Sequence, residues 1–168
     1  ILSSSSKKLA GLTAALHPPS RIEGRGIMLP ASSGKAIEIL SQNINGFFLM
    51  IEGAQIDWAA GGNSAESLIA ETLDFDEAVG VALDFAQSDG HTLVIVTADH
   101  ESGGVSILEA DTLSHTVRLN FSTTGHTGVM VPVYAYGPGA EKFAGIYDNT
   151  DIFIKMVQSL GVSKSRRN

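Results

Sequence analysis

The chain has 168 residues, 43% apolar and 17% charged, with a net charge of -7 and no cysteine. That length and composition suffice for one folded domain with a sizeable core and argue against disorder, while the acidic balance argues against nucleic-acid and membrane partners. Without cysteine there are no disulfides and no thiolate zinc sites, so any transition metal must be held by histidines and carboxylates.

The opening stretch, residues 1–30, mixes a serine run, the Pro18-Pro19 pair and the Gly24-Arg25-Gly26 segment. A short helix over 7–16 followed by loop is expected there. It shows neither an initiator methionine nor a signal-like pattern, which fits an internal fragment. Residues 22–25, Ile-Glu-Gly-Arg, coincide with a commonly engineered protease site, but four residues in a loop are weak evidence of engineering, and natural sequence is the preferred reading. From Ser32, the spacing of Ala36, Ile39 and Leu40 predicts a helix that residues 43–46 end. The runs 47–52 (FFLMIE) and 92–97 (TLVIVT) read as strands buried on both faces, hence parallel central strands. Between them a long amphipathic helix is expected, with Asn63 as N-cap and Glu66 completing a capping box. Its apolar positions are Ala65, Leu68, Ile69, Thr72, Phe75, Val79, Ala82 and Ala86, and Gly90 ends it. Strand, helix, strand of this length is a βαβ crossover, so the expected class is α/β, a mostly parallel sheet with helices on both faces. Residues 105–108 and 116–121 read as a hairpin turning around 111–114. A strand at 131–136 should start at or after Pro132 or lie at an edge, because proline cannot donate to a ladder. A last helix covers about 150–160, and the tail 163–168 is expected to fray.

In open α/β sheets, ligands bind beyond the carboxyl ends of the strands. Three such ends carry metal-capable residues. The first run leads into Glu52 and, five residues on, Asp57; the second ends in Asp99 and His100; and His126 sits in a turn flanked by Gly125 and Gly128. Any one carboxylate at a strand end is ordinarily solvated or a helix cap, and a histidine in a glycine turn is more often a turn residue than a ligand. Asp99 beside His100, directly after an apolar strand, is a stronger signal, because burying two titratable groups there needs compensation. Together, two histidines and three carboxylates form a mixed N/O set suited to zinc, with the glutamate suited to magnesium. Such a set points to a two-metal hydrolytic site acting at phosphorus. His17, His91 and His115 read as surface residues.

The segments GFFLMIEGAQIDWA (46–59), TLVIVTADHESGG (92–104) and TGHTGVMVPVYAYGPGAEKFAG (124–145) resemble, in order and separation, the metal-binding blocks of alkaline phosphatases. The resemblance covers most of residues 35–160. It implies Asp57 and His126 on a first zinc, Asp99 and His100 on a second, and Glu52 on magnesium. Trp58 would contact the metal surroundings without ligating. It further implies a C-terminal fragment of one phosphatase domain within a three-layer fold, with 1–34 a lead-in, 35–162 the α/β metal-binding core and 163–168 a tail. Phosphate monoester hydrolysis, small phosphomonoester substrates, a homodimer and a periplasmic or extracellular location are implied as well.

Two departures stand out. The family pattern places a zinc-ligating histidine four residues after Asp57, at the expected start of the long helix, where this sequence has Gly61. The serine nucleophile, the aspartate before it and the substrate-binding arginine fall N-terminal to the region covered, and no Asp-Ser-Ala segment occurs in the chain. The expectation is therefore a phosphomonoesterase piece that is inactive alone and pairs with the missing N-terminal half. A non-catalytic metal-binding module, or a related metallophosphodiesterase or sulfatase, is the alternative.

Overall fold

The computed structural model describes residues 2–161. The expected frayed tail lies outside the described residues. The described residues form two compact units, one of residues 2–82 with 100–129, the other of 83–99 with 130–161. No helix among the described residues is long and apolar enough to cross a membrane.

The first unit opens differently from expectation. Residues 7–16 form no helix, and Leu12 and Leu16 are almost fully exposed. With no surface to cover, a ten-residue helix has too little to offset its nucleation cost. A short π-helical turn, Arg21–Arg25, follows instead, with the Glu23 carboxylate accepting from the Ser20 N–H at 2.9 Å. Helix α1 (Met28–Leu40) begins four residues before Ser32. Pro30 is tolerated there because it stands in the first turn, where the missing N–H has no intrahelical acceptor. Helix α2 (Gln55–Gly61) precedes the long α3 (Ala65–Asp89).

The N-cap of α3 is one residue later than expected. Asn63 has a left-handed backbone (φ 53), and Ser64 Oγ accepts from Ser67 N at 3.4 Å and donates to Ser67 Oγ at 2.9 Å. The buried face of α3 runs through Leu68, Glu71, Asp74, Ala78 and Ala86 rather than through Thr72, which is exposed. Two acids lie on that face because Arg25 covers them, donating to Asp74 at 2.8 Å and to Glu71. Burial alone would lower the Arg25 pKa, but the two carboxylates hold it above its ordinary value. Arg21 adds its backbone N–H to Glu71 at 2.7 Å and lies 3.6 Å from Asp74. Arg21 and Arg25 thereby tie the 21–25 turn to α3.

Residues 47–52 are not among the assigned strands of the described residues. They alternate half-buried and exposed, with Phe48 57% and Met50 68% exposed, the periodicity of a strand rather than the two-sided burial expected. Strand β1 (Val94–Thr97) pairs with β6 (Val133–Tyr136) in antiparallel register, Val94 opposite Tyr136 and Thr97 opposite Val133. The parallel pairing expected of the crossover is thus not formed among the described residues, where all three ladders are antiparallel. Strand β6 starts immediately after Pro132, as the missing donor requires. Strands β3 (Ser106–Asp111) and β4 (Thr116–Asn120) form the expected hairpin, with the Asp111 carboxylate accepting from Leu113 N at 2.8 Å and His115 at φ 54 in the turn. A 3-10 turn (Ala140–Phe143) and α4 (Asn149–Ser159) complete the second unit, tied by Lys155 Nζ donating to Lys142 O at 2.6 Å.

Candidate metal centre

The site is built on α2 and on a two-residue ladder. Ala59 and Ala60 on α2 are buried against Leu68, Val105, Leu119 and Phe121, which leaves Asp57, on another face of the same helix, half-buried. Strand β2 (Glu101–Ser102) pairs with β5 (His126–Thr127), Ser102 opposite His126 and Glu101 opposite Thr127. The Glu101 carboxylate locks this short ladder, accepting from Thr127 Oγ1 and, at 2.9 Å, from Val105 N. The Thr127 hydroxyl, followed by the Val105 N–H, holds the Glu101 carboxyl below the ordinary carboxylate range. Glu101 therefore serves as a strut.

Within this frame Asp57 Oδ1 lies 3.4 Å from His126 Nε2 and 4.0 Å from His100 Nδ1. The two imidazoles stack, centroids 3.7 Å apart and planes 21° from parallel. One ligand atom from each of Asp57, His100 and His126 lies within 4.8 Å of the others. Three of the five candidate ligands are thereby brought together from segments far apart in sequence. Glu52 and Asp99, both exposed, are not in this group. Trp58 is half-exposed and meets the His17 ring edge-on at 4.9 Å. His17, His91 and His115 are exposed, as expected of surface residues. Gly61 is the last residue of α2, one turn beyond Asp57, and not at the start of the long helix as expected.

Sequence reasoning missed Ser102. Its hydroxyl donates to Asp57 Oδ1 and lies 3.4 Å from His100 Nδ1. Nothing local marks it, since His100 stands in a bend and Ser102 at the end of a two-residue strand, and the contact is made to a helix far away in sequence. Groups that hydrogen-bond a ligating carboxylate fix its orientation, and their loss typically costs 10- to 100-fold in metal affinity. Ser102→Ala is accordingly expected to weaken divalent-cation binding offered by the Asp57, His100 and His126 group by about that factor, measured by calorimetry, with no change in far-UV circular dichroism.

The family model for alkaline phosphatase matches residues 2–117 and 106–162. The chain belongs to the alkaline phosphatase family. It is 40% identical over 151 residues to the alkaline phosphatase of Escherichia fergusonii, covering 80% of this chain and 32% of that protein. It also resembles the solved alkaline phosphatase of the Antarctic bacterium TAB5, with 48% identity, a TM-score of 0.78, and coverage of 85% of this chain and 43% of that one. A variant of the TAB5 enzyme, 45% identical and with a TM-score of 0.76, was solved with magnesium in its M3 site. The α/β fold is thus that of alkaline phosphatases, and the chain spans less than half the length of these relatives.

Proposed function

We propose that this alkaline phosphatase chain carries part of the metal centre of a phosphomonoesterase, and that the complete protein hydrolyses small phosphate monoesters. The convergence of Asp57, His100 and His126 carries this reading. One carboxylate and two imidazoles are a donor set that fits zinc, and Glu52 offers the harder oxygen that magnesium prefers. A divalent cation at the triad would supply positive charge to the oxygens of a phosphoryl group. The chain's own residues prepare that role: Asp57, His100 and His126 offer lone pairs, Ser102 orients Asp57, and Glu101 fixes the β2–β5 ladder that carries His126. The nucleophilic serine, the phosphate-binding arginine, pairing with the remaining part of the domain, a homodimer and an extracytoplasmic location are proposed from the resemblance.

In the complete gene product supplied with zinc and magnesium, turnover of 4-nitrophenyl phosphate is expected, and Asp57→Asn is expected to lower it by roughly 100-fold or more. The 168-residue chain alone should show none. A complete product that binds zinc yet turns over no phosphate monoester would overturn the enzyme reading. That result favours a non-catalytic metal-binding module, to which Gly61, offering no side chain one turn from Asp57, already lends support.

A further inference from the structure

We infer that a small cleft between the loop before the 21–25 turn, α2 and the start of α3 binds an uncharged polyhydroxy ligand, with the chemistry and size of one monosaccharide or cyclitol ring. The cleft holds about 210 Å³ and is lined by Ser20, by Gln55 and Trp58 of α2, and by Ser67 and Glu71 of α3 with its cap, Ser64. Drug-sized ligands occupy roughly 300–1,000 Å³, so this volume suits a single ring. The cleft shares no residue with the Asp57, His100 and His126 group and lies wholly within the first unit.

Its polar groups are held in place but not saturated. The Glu71 side chain is 3% exposed, and its carboxylate accepts from the Arg21 N–H at 2.7 Å and from Arg25. A carboxylate has about four acceptor sites, so about two remain. The Ser64 hydroxyl donates to Ser67 Oγ at 2.9 Å, which leaves the Ser67 proton without an acceptor among the described residues. Gln55 Nε2 donates to Pro18 O at 2.8 Å, and the amide oxygen meets no donor among them. One O–H donor beside several acceptors is a pattern that alcohol groups satisfy, since each both donates and accepts. Charge disfavours the alternatives: an anion meets the Glu71 carboxylate, and a cation gains little from a carboxylate that Arg25 already neutralises. Trp58 supplies the apolar wall. It is 52% exposed, and its T-shaped contact with the His17 ring at 4.9 Å fixes the indole. A sugar ring pairs hydroxyl edges with a C–H face, and an aromatic wall beside a few placed polar groups suits both.

Trp58 is the single tryptophan of the chain, so its emission reports on the cleft directly. The test titrates the chelator-treated chain with D-glucose and with myo-inositol, followed by tryptophan fluorescence and by saturation-transfer NMR. A saturable response to at least one of them is expected, with a dissociation constant on the order of 1–10 mM. Ser67→Ala should weaken it by about 3- to 10-fold through the lost donor, and Trp58→Ala, followed by NMR, by about 10-fold or more. Trp58→Phe keeps an aromatic wall and should retain most of the binding, and far-UV circular dichroism reports that each variant is folded. No response of the folded chain to either compound up to about 100 mM would overturn the site. Undiminished affinity in both Ser67→Ala and Trp58→Ala would overturn it too, by placing the binding elsewhere. Glucuronate or glucosamine binding more tightly than glucose would overturn the uncharged class of ligand. Every outcome is read without metal and without turnover, so none of them bears on the metal-binding or phosphatase reading.

Discussion

Arg25→Ala is expected to destabilise the chain by about 3–5 kcal/mol, read as a lower midpoint in urea denaturation. The Arg25 side chain is 5% exposed, that of Glu71 3% and that of Asp74 0%. Removing the guanidinium strands two buried carboxylates on α3, and an uncompensated buried charge is the costly outcome. Arg21, 3.6 Å from Asp74 and itself partly exposed, relieves only part of it. Arg25→Lys should recover a fraction, because an ammonium lacks the planar fork that lets one guanidinium serve two carboxylates. Replacing the whole set by Arg25→Met, Glu71→Gln and Asp74→Asn should restore most of the loss, since removing every charge together leaves none unpaired. A midpoint for Arg25→Ala within about 1 kcal/mol of the parent would show that these contacts do not anchor the 21–25 turn to α3.

Gly103→Ala is the second large effect, expected at about 2–4 kcal/mol together with weakened zinc binding. Gly103 has φ +82, and a Cβ there would lie 2.6 Å from Ala60 O and 3.2 Å from Phe121 Cδ1. Backbone and ring atoms cannot yield as a flexible chain end does. Its N–H donates to Gly125 O at 2.9 Å and its carbonyl accepts from Ser122 N at 3.0 Å, so displacing it shifts the segment that delivers His126. Gly61→Ala is the matched control: its Cβ would meet Thr124 O at an ordinary 3.4 Å inside a helix, where alanine is preferred. Equal midpoints for the two alanine variants would contradict this account.

What the sequence discloses about this molecule is what local periodicity and turn chemistry determine. The β3–β4 hairpin, α4 and the start of β6 after Pro132 follow from alternation, helical spacing and a missing donor, each a property of neighbouring residues. Strand pairing is not such a property. An apolar run like 92–97 carries no mark of whether its partner lies parallel or antiparallel, and here the partner is β6, about forty residues away. The buried face of α3 was misread for a related reason. Glu71 and Asp74 look solvent-facing until Arg25, 46 and 49 residues away in sequence, is placed against them. At the site, residue type and position at strand ends single out Asp57, His100 and His126, whereas Ser102 gains its role from a hydroxyl reaching a helix 45 residues earlier.

The run FFLMIE at residues 47–52 has a consequence for handling the protein. Five consecutive apolar residues, with Phe48 and Met50 mostly exposed, form an uncharged segment of the kind that favours self-association. Glu52, at the end of the run, is its single charged gatekeeper. Solubility of the chain is therefore expected to fall as its concentration rises, read as light scattering against concentration.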